Sequence, residues 1–384
     1  MKLFKSLLVA PATLGLLAPM TANATEVNLN EISNYSDIEN IELSESFKND
    51  DLSINSLLAG GEGLVEDHSH DGGFSETTTA SFGANFYIGA EDTDDGSSTA
   101  NDLDDSITAG YDFGIALNTS FTGEDSLDIA IDAGNASTFG EFDSDSTAGD
   151  MLVVDGVSYT FPVGGATMIV GDNTDGSALF TTACVYGGPS NTLDDCANVN
   201  AGITNGGAMV GASYDFDNGF TAAVGFAGPE GAIMTEESAD AYGINAAYTG
   251  DSYGVSITYG VLETSATEEN TYTALNGYYT PEGLPSISVG YETGDIGGAA
   301  STADEQESFF VGLTFDEVGP GSAGIAAGFS NVVEGSDEEY MYEAYYDYPI
   351  NDGMTITPLV FVKEVAASGT DDTTGVMVKT SFSF

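Results

Sequence analysis

The stretch Asp371–Phe384, DDTTGVMVKTSFSF, decides how the rest of the chain is read. Taken with a period of two, it puts Val376, Val378, Thr380, Phe382 and Phe384 on one side. Met377, Lys379, Ser381 and Ser383 fall on the other. Such alternation marks a half-buried β-strand. The strand runs out on an aromatic of its apolar side, which is unusual for a soluble sheet. A strand that closes a membrane barrel meets lipid on that side and sets its last aromatic in the interfacial girdle. Phe382 and Phe384 are therefore the expected closure and assembly residues. A sandwich strand can show the same local pattern, so the remaining sequence has to decide.

Working outward, the same pattern recurs from about Phe74 onward as roughly ten-residue alternating segments divided by turn residues, about sixteen of them. They are expected near 76–90, 105–121, 125–133, 151–161, 165–171, 207–216, 219–228 and 239–249. The rest fall near 252–262, 271–280, 285–293, 306–315, 322–330, 339–348, 354–364 and 373–384. In the 252–262 segment Tyr253, Val255, Ile257, Tyr259 and Val261 alternate with glycine, serine and threonine. Phe220, Ala222, Val224 and Phe226 show the same alternation, as do Ala323, Ile325, Ala327 and Phe329. A soluble sandwich spreads charge over its outer face. Here the polar face is nearly uncharged, which suits a lumen, with the apolar face toward lipid. About ten residues at ~3.3 Å each, tilted by about 40°, rise roughly 25 Å, the height of a lipid-facing band.

Connections alternate between short and long. Short ones are expected at 122–124, 162–164, 217–218, 250–251, 281–284, 316–321 and 349–353. The intervening ones are longer and acidic: 91–104, 134–150, 172–206, 228–238, 262–270, 294–305, 331–338 and 365–372. An even-stranded antiparallel barrel with periplasmic termini and long acidic outer loops predicts this order; Greek-key crossovers do not. The longest connection holds the two cysteines, Cys184 and Cys196. In an exported chain such a pair reads as a disulfide, with free thiols as the alternative.

Composition agrees with this fold and excludes other functions. The 384 residues include 62 acids, 5 lysines, 49 glycines and no tryptophan, so nucleic acid is not a partner. The bland reading of the acidity is solvation; the sharper one is a field that attracts cations. Residues 1–24, MKLFKSLLVAPATLGLLAPMTANA, have a basic start, an apolar middle and an Ala22-Asn23-Ala24 cleavage site, as a secretory signal peptide does. Residues 25–73 are polar and acidic without periodicity, an N-terminal periplasmic segment ahead of a barrel at 74–384. His68 and His70 have metal-ligand chemistry, but two histidines one residue apart define no geometry, and a solvated linker is preferred.

The leader MKLFKSLLVAPATLGLLAP resembles that of cyanobacterial outer-membrane porins, as do Leu117–Asn135, Asp240–Val255, Ala274–Glu292 and the closing DTTGVMVKTSFSF. The porins in question are the iron uptake type, related to the carbohydrate-selective porin family. The resemblance implies a trimeric diffusion channel with inorganic iron, other ions or sugars among its solutes. That family usually carries an S-layer-homology domain and a helical stretch before the barrel. The stretch 25–73 is too short and too polar for both, so the chain departs from the pattern there. In general porins the third long loop folds inward and narrows the channel. By analogy Asp172, Asp175, Asp194 and Asp195 are the candidate pore constriction.

Three function classes follow. A passive cation-selective outer-membrane channel is favoured, with a carbohydrate-selective porin as its alternative. A barrel enzyme would need a nucleophile and a base, and 74–384 contains no histidine, so no enzymatic activity is expected. An exported acidic structural or calcium-binding surface protein is the remote alternative; the glycine-aspartate repeat of calcium solenoids does not recur. Expected partners are outer-membrane lipid, the barrel assembly machinery, identical subunits, small hydrophilic solutes and cations. No cofactor is expected beyond divalent cations held by acidic loops.

Overall fold

The computed structural model describes residues 78–92, 106–136, 141, 144, 149–204, 206–235, 239–265, 268–297, 304–366 and 371–384. The expectations for 1–24, for 25–73 and for His68 and His70 lie outside these residues.

Sixteen strands make up the domain. They are β1 (Thr78–Asp92), β2 (Thr108–Thr119), β3 (Ser126–Gly134), β4 (Val153–Val163), β5 (Ala166–Asp172), β6 (Ala208–Asp215), β7 (Phe220–Gly228) and β8 (Ala241–Thr249). The second half comprises β9 (Tyr253–Ser265), β10 (Glu268–Tyr279), β11 (Ser286–Ile296), β12 (Glu305–Val318), β13 (Gly321–Val333), β14 (Met341–Asn351), β15 (Met354–Lys363) and β16 (Thr373–Ser383). Each pairs antiparallel with its sequence neighbours, and β16 returns to β1 to close the barrel. The seam runs from Gly83↔Ser383 to Asp92↔Thr374. Closure leaves no unpaired edge, which is what a sheet needs in a medium that cannot bond its backbone.

The two faces follow the alternation. Val255, Ile257, Ile244, Val224 and Ile325 point outward and are about half exposed, between 46% and 57%. Their inward neighbours Ser256, Thr258, Asn245 and Ala326 are buried. Aromatics ring the end with short connections: Phe82 stacks on Phe384, Phe121 meets Tyr159, and Phe220, Tyr248 and Tyr253 form a chain of contacts. At the other end Phe329 contacts Phe309 and Tyr340, which lies over Tyr342. Such belts sit where apolar bodies and polar tips meet the two interfaces.

The strands run past the expected segments, at β12 and β13, which reach Val318 and start again at Gly321, and most at β9 and β10. Pairing carries β9 to Ser265 and begins β10 at Glu268, so the expected long connection 262–270 is two residues joining two extended strands. Backbone pairing continues past the apolar belt because it does not require alternation. Val261 keeps the outward register of Tyr259, yet it is buried.

Turn chemistry fixes the short connections. Asp125 gathers Phe121 N (2.9 Å), Thr122 N (2.7 Å), Ser120 Oγ (2.8 Å) and Thr122 Oγ1 (2.8 Å) on one oxygen. The Tyr159 hydroxyl donates to the other at 2.6 Å. These donors, the tyrosine first, hold its carboxyl well below the ordinary range.

Candidate functional site

The long connection between β5 and β6 turns back into the barrel and lies on its inner wall. Its first limb is held by a ladder of neutral side chains. Thr181 N donates to Asn245 Oδ1 on β8 (2.9 Å), Ala183 N to Ser256 Oγ on β9 (2.9 Å) and Val185 N to Ser288 Oγ on β11 (3.0 Å). Alternate amides of an extended segment thus bond successive parts of the wall, as period two requires. The returning limb is held by Glu292 of β11, which accepts Asn200 N, Asn200 Nδ2 and Ala201 N. Between the limbs, Asn276 of β10 donates to the Cys196 carbonyl at 2.7 Å.

Inward glycines make room for this backbone. A Cβ on Gly290 would sit 1.8 Å from the Cys196 carbonyl oxygen, and one on Gly225 would sit 1.9 Å from that of Gly176. The small inward face expected from the sequence is therefore, along β7–β13, the seat of the loop. Apolar packing completes it. Tyr186 contacts Phe310 and Tyr345, with ring centroids at 5.2 and 5.8 Å, and donates to Glu343 Oε1. Leu193 joins the same buried cluster with Met341, Leu359, Phe361 and Met377.

A second long connection, between β3 and β4, reaches the same place through Glu141. Its carbonyl accepts Asn191 N (2.9 Å), and its carboxylate accepts Thr192 Oγ1 (2.7 Å) and Lys363 Nζ (2.6 Å). Lys363, one of two lysines among the described residues, is thus paired with a carboxylate. The other, Lys379, faces inward between Thr357 and Tyr87. Inward acids from the strands include Asp112, Asp128, Asp132 and Asp347.

The four constriction candidates all lie on or beside the seated loop, but they fall into two pairs. Asp172 ends β5 and is exposed; Asp175 follows just before Gly176, whose carbonyl rests on β7. Although Asp175 keeps exposed surface, partial desolvation of its carboxyl and repulsion from Asp155 hold it above the ordinary range, so its charge is lost at higher pH than an open carboxylate's. Asp194 and Asp195 sit between Leu193, packed on Gly328, and Cys196, packed on Gly290. The structure joins Cys184 to Cys196. Phe382 sets its edge on Phe86 (6.0 Å), and Phe384 exchanges both backbone hydrogen bonds with Phe82.

Sequence reasoning did not find the docking residues Asn245, Ser256, Asn276, Ser288, Glu292 and Glu343. Their signal is a polar side chain in an inward position, which any lumen residue shares.

Cys196 and Ala197 both have positive φ, 53° and 57°, a conformation that costs side-chain-bearing residues of order 1 kcal/mol each. The disulfide and the Asn276 bond hold them there. Reduction is expected to leave the barrel folded, since strand pairing is untouched, and to make its conductance noisier. Unchanged noise after verified reduction would show that the bridge does not hold the loop.

No family model matches this chain, and no curated protein matches it. Among solved structures, an engineered variant of Rh. blastica porin aligns with 80% of this chain and 100% of its own, at 15% identity and TM-score 0.57. OprB of Pseudomonas putida, in a high-pH structure, aligns with 80% of this chain and 94% of its own, at 12% identity and TM-score 0.56. The chain has the 16-stranded porin fold.

Proposed function

We propose that this chain is an outer-membrane porin: a passive, cation-selective channel for small hydrophilic solutes and ions. The observation that carries the reading is a closed barrel with an apolar outer belt and a long loop docked on its inner wall. A soluble barrel would not leave rows of half-exposed aliphatics between two aromatic rings. The charge balance supports the selectivity. With Lys363 paired to Glu141, Lys379 is the remaining lysine of the described barrel, facing a wall and a loop rich in aspartate. Acidic groups near a constriction admit cations.

Hydrated metal cations, inorganic iron among them, belong to the solutes such a filter passes. A carbohydrate-selective channel is the alternative reading. The reading includes export by the leader at 1–24, insertion by the barrel assembly machinery, assembly as a homotrimer and no enzymatic activity.

Changing Asp172, Asp175, Asp194 and Asp195 to Asn is expected to move the reversal potential in a potassium chloride gradient most of the way toward zero. Neutralising the exposed acids Glu334, Asp337, Glu338 and Glu339 of the connection after β13 is expected to move it much less, because open water screens them. Equal shifts from the two sets would remove the loop from the filter.

A further inference from the structure

We propose that Glu292 is the positioning residue of the pore: its ionised carboxylate pins the returning limb of the loop, and protonation releases that limb. The inference rests on the channel reading above. Glu292 is 1% exposed and lies in an inward position of β11. Its oxygens accept Asn200 N (2.9 and 3.1 Å), Asn200 Nδ2 (2.8 Å) and Ala201 N (2.8 Å). Every partner is a donor. An ionised carboxylate is acceptor-only and satisfies them all, whereas a protonated one turns an oxygen into a donor aimed at N–H groups. Bonds to the charged form are also about twice as strong as neutral ones.

The groups facing this carboxylate are neutral. Ala274 and Tyr272 come from β10, the tyrosine hydroxyl bonding Gln306 at 3.2 Å. Ser308 comes from β12 and Asn331 from β13, which holds Asn200 Nδ2 at 2.7 Å. Asp295 of β11 and Glu307 of β12 lie on the outer side of the same sheet. Among the described residues no lysine pairs with Glu292, so the amides of the loop are its counter-charge. The ladder of the first limb differs, for Asn245, Ser256 and Ser288 do not titrate; the other carboxylates on the loop are Glu343, which accepts the Tyr186 hydroxyl, and Glu141, which accepts Thr192 Oγ1. Loss of the Glu292 charge therefore frees the returning limb while the ladder stays bonded, and the Cys184–Cys196 bridge, tied to the first limb, confines the movement to the segment after Cys196.

The test is single-channel recording of the full purified protein, wild type and variants, as pH is stepped from neutral into the carboxylate range. Wild type is expected to hold a steady level at neutral pH and to flicker on acidification. Glu292→Gln, which keeps the shape and one acceptor, is expected to flicker at both pH values. Its closures at neutral pH should be about tenfold more frequent than in wild type, as for losing one charge-assisted bond. Asp295→Asn, on the outer side, should behave as wild type. A Glu292→Gln channel as steady as wild type, with the same acid response, would overturn the proposal. Wild-type protein that conducts nothing would instead overturn the channel reading.

Discussion

Replacing Phe384 by Asp is expected to remove most of the folded, heat-modifiable barrel from the membrane fraction, while Phe384→Tyr should restore it. Phe384 lies across the seam, its ring stacked on Phe82 at 5.7 Å, and it exchanges N–H···O bonds of 2.9 and 3.0 Å with Phe82. Phe382 adds an edge contact to Phe86 one step further in. The equilibrium cost alone is modest. A charge at the interface costs about 0–1 kcal/mol, and a lost aromatic pair about 0.5–1.5 kcal/mol. The large effect comes from the route. The β1–β16 pair joins the two ends of the sheet, so before it forms both edges stand open and can pair with other chains. A substitution that slows closure exposes them longer. Normal yield of Phe384→Asp barrel would show that the seam closes without this ring.

Gly290→Val is expected to unseat the loop without unfolding the barrel. The new Cβ would meet the Cys196 carbonyl oxygen at 1.8 Å and Asn276 Nδ2 at 2.8 Å, breaking the bond between them. Overpacking of this kind costs about 1–3 kcal/mol. The strain falls on the loop, because a loop held by single side chains yields before two complete strand ladders do. Conductance should become unsteady and lower, with the loop pushed off the wall toward the axis. Gly277→Val is the control: it points outward, and its Cβ would approach nothing closer than 3.4 Å. Identical channels from the two variants would mean that the loop does not rest on Gly290.

Period two carried the barrel into the sequence. Alternation such as Tyr253-Gly-Val-Ser-Ile reports which side each residue faces, so sixteen segments and their order were legible. It does not report what covers a face. Val261 and Phe329 keep the outward phase and are nonetheless buried. The inner face of β14–β16 carries Met341, Tyr345, Leu359, Phe361 and Met377, packed together under the loop and unlike the small polar lining inferred from β7, β9 and β13. The docking of the loop was the least legible feature. Its partners Asn245, Ser256 and Ser288 lie 64, 73 and 103 residues from the amides they bind, and no local spacing encodes such pairs. The length of the connection and its cysteines marked the loop as important; only the fold places it on the wall.

The most direct test of the central claim is recording from the purified, refolded protein in a planar bilayer under a potassium chloride gradient. The account predicts discrete conductance steps and a reversal potential of cationic sign. A bilayer that stays silent despite verified insertion of folded barrel would contradict the channel, and steps that reverse at zero or with anionic sign would contradict its filter.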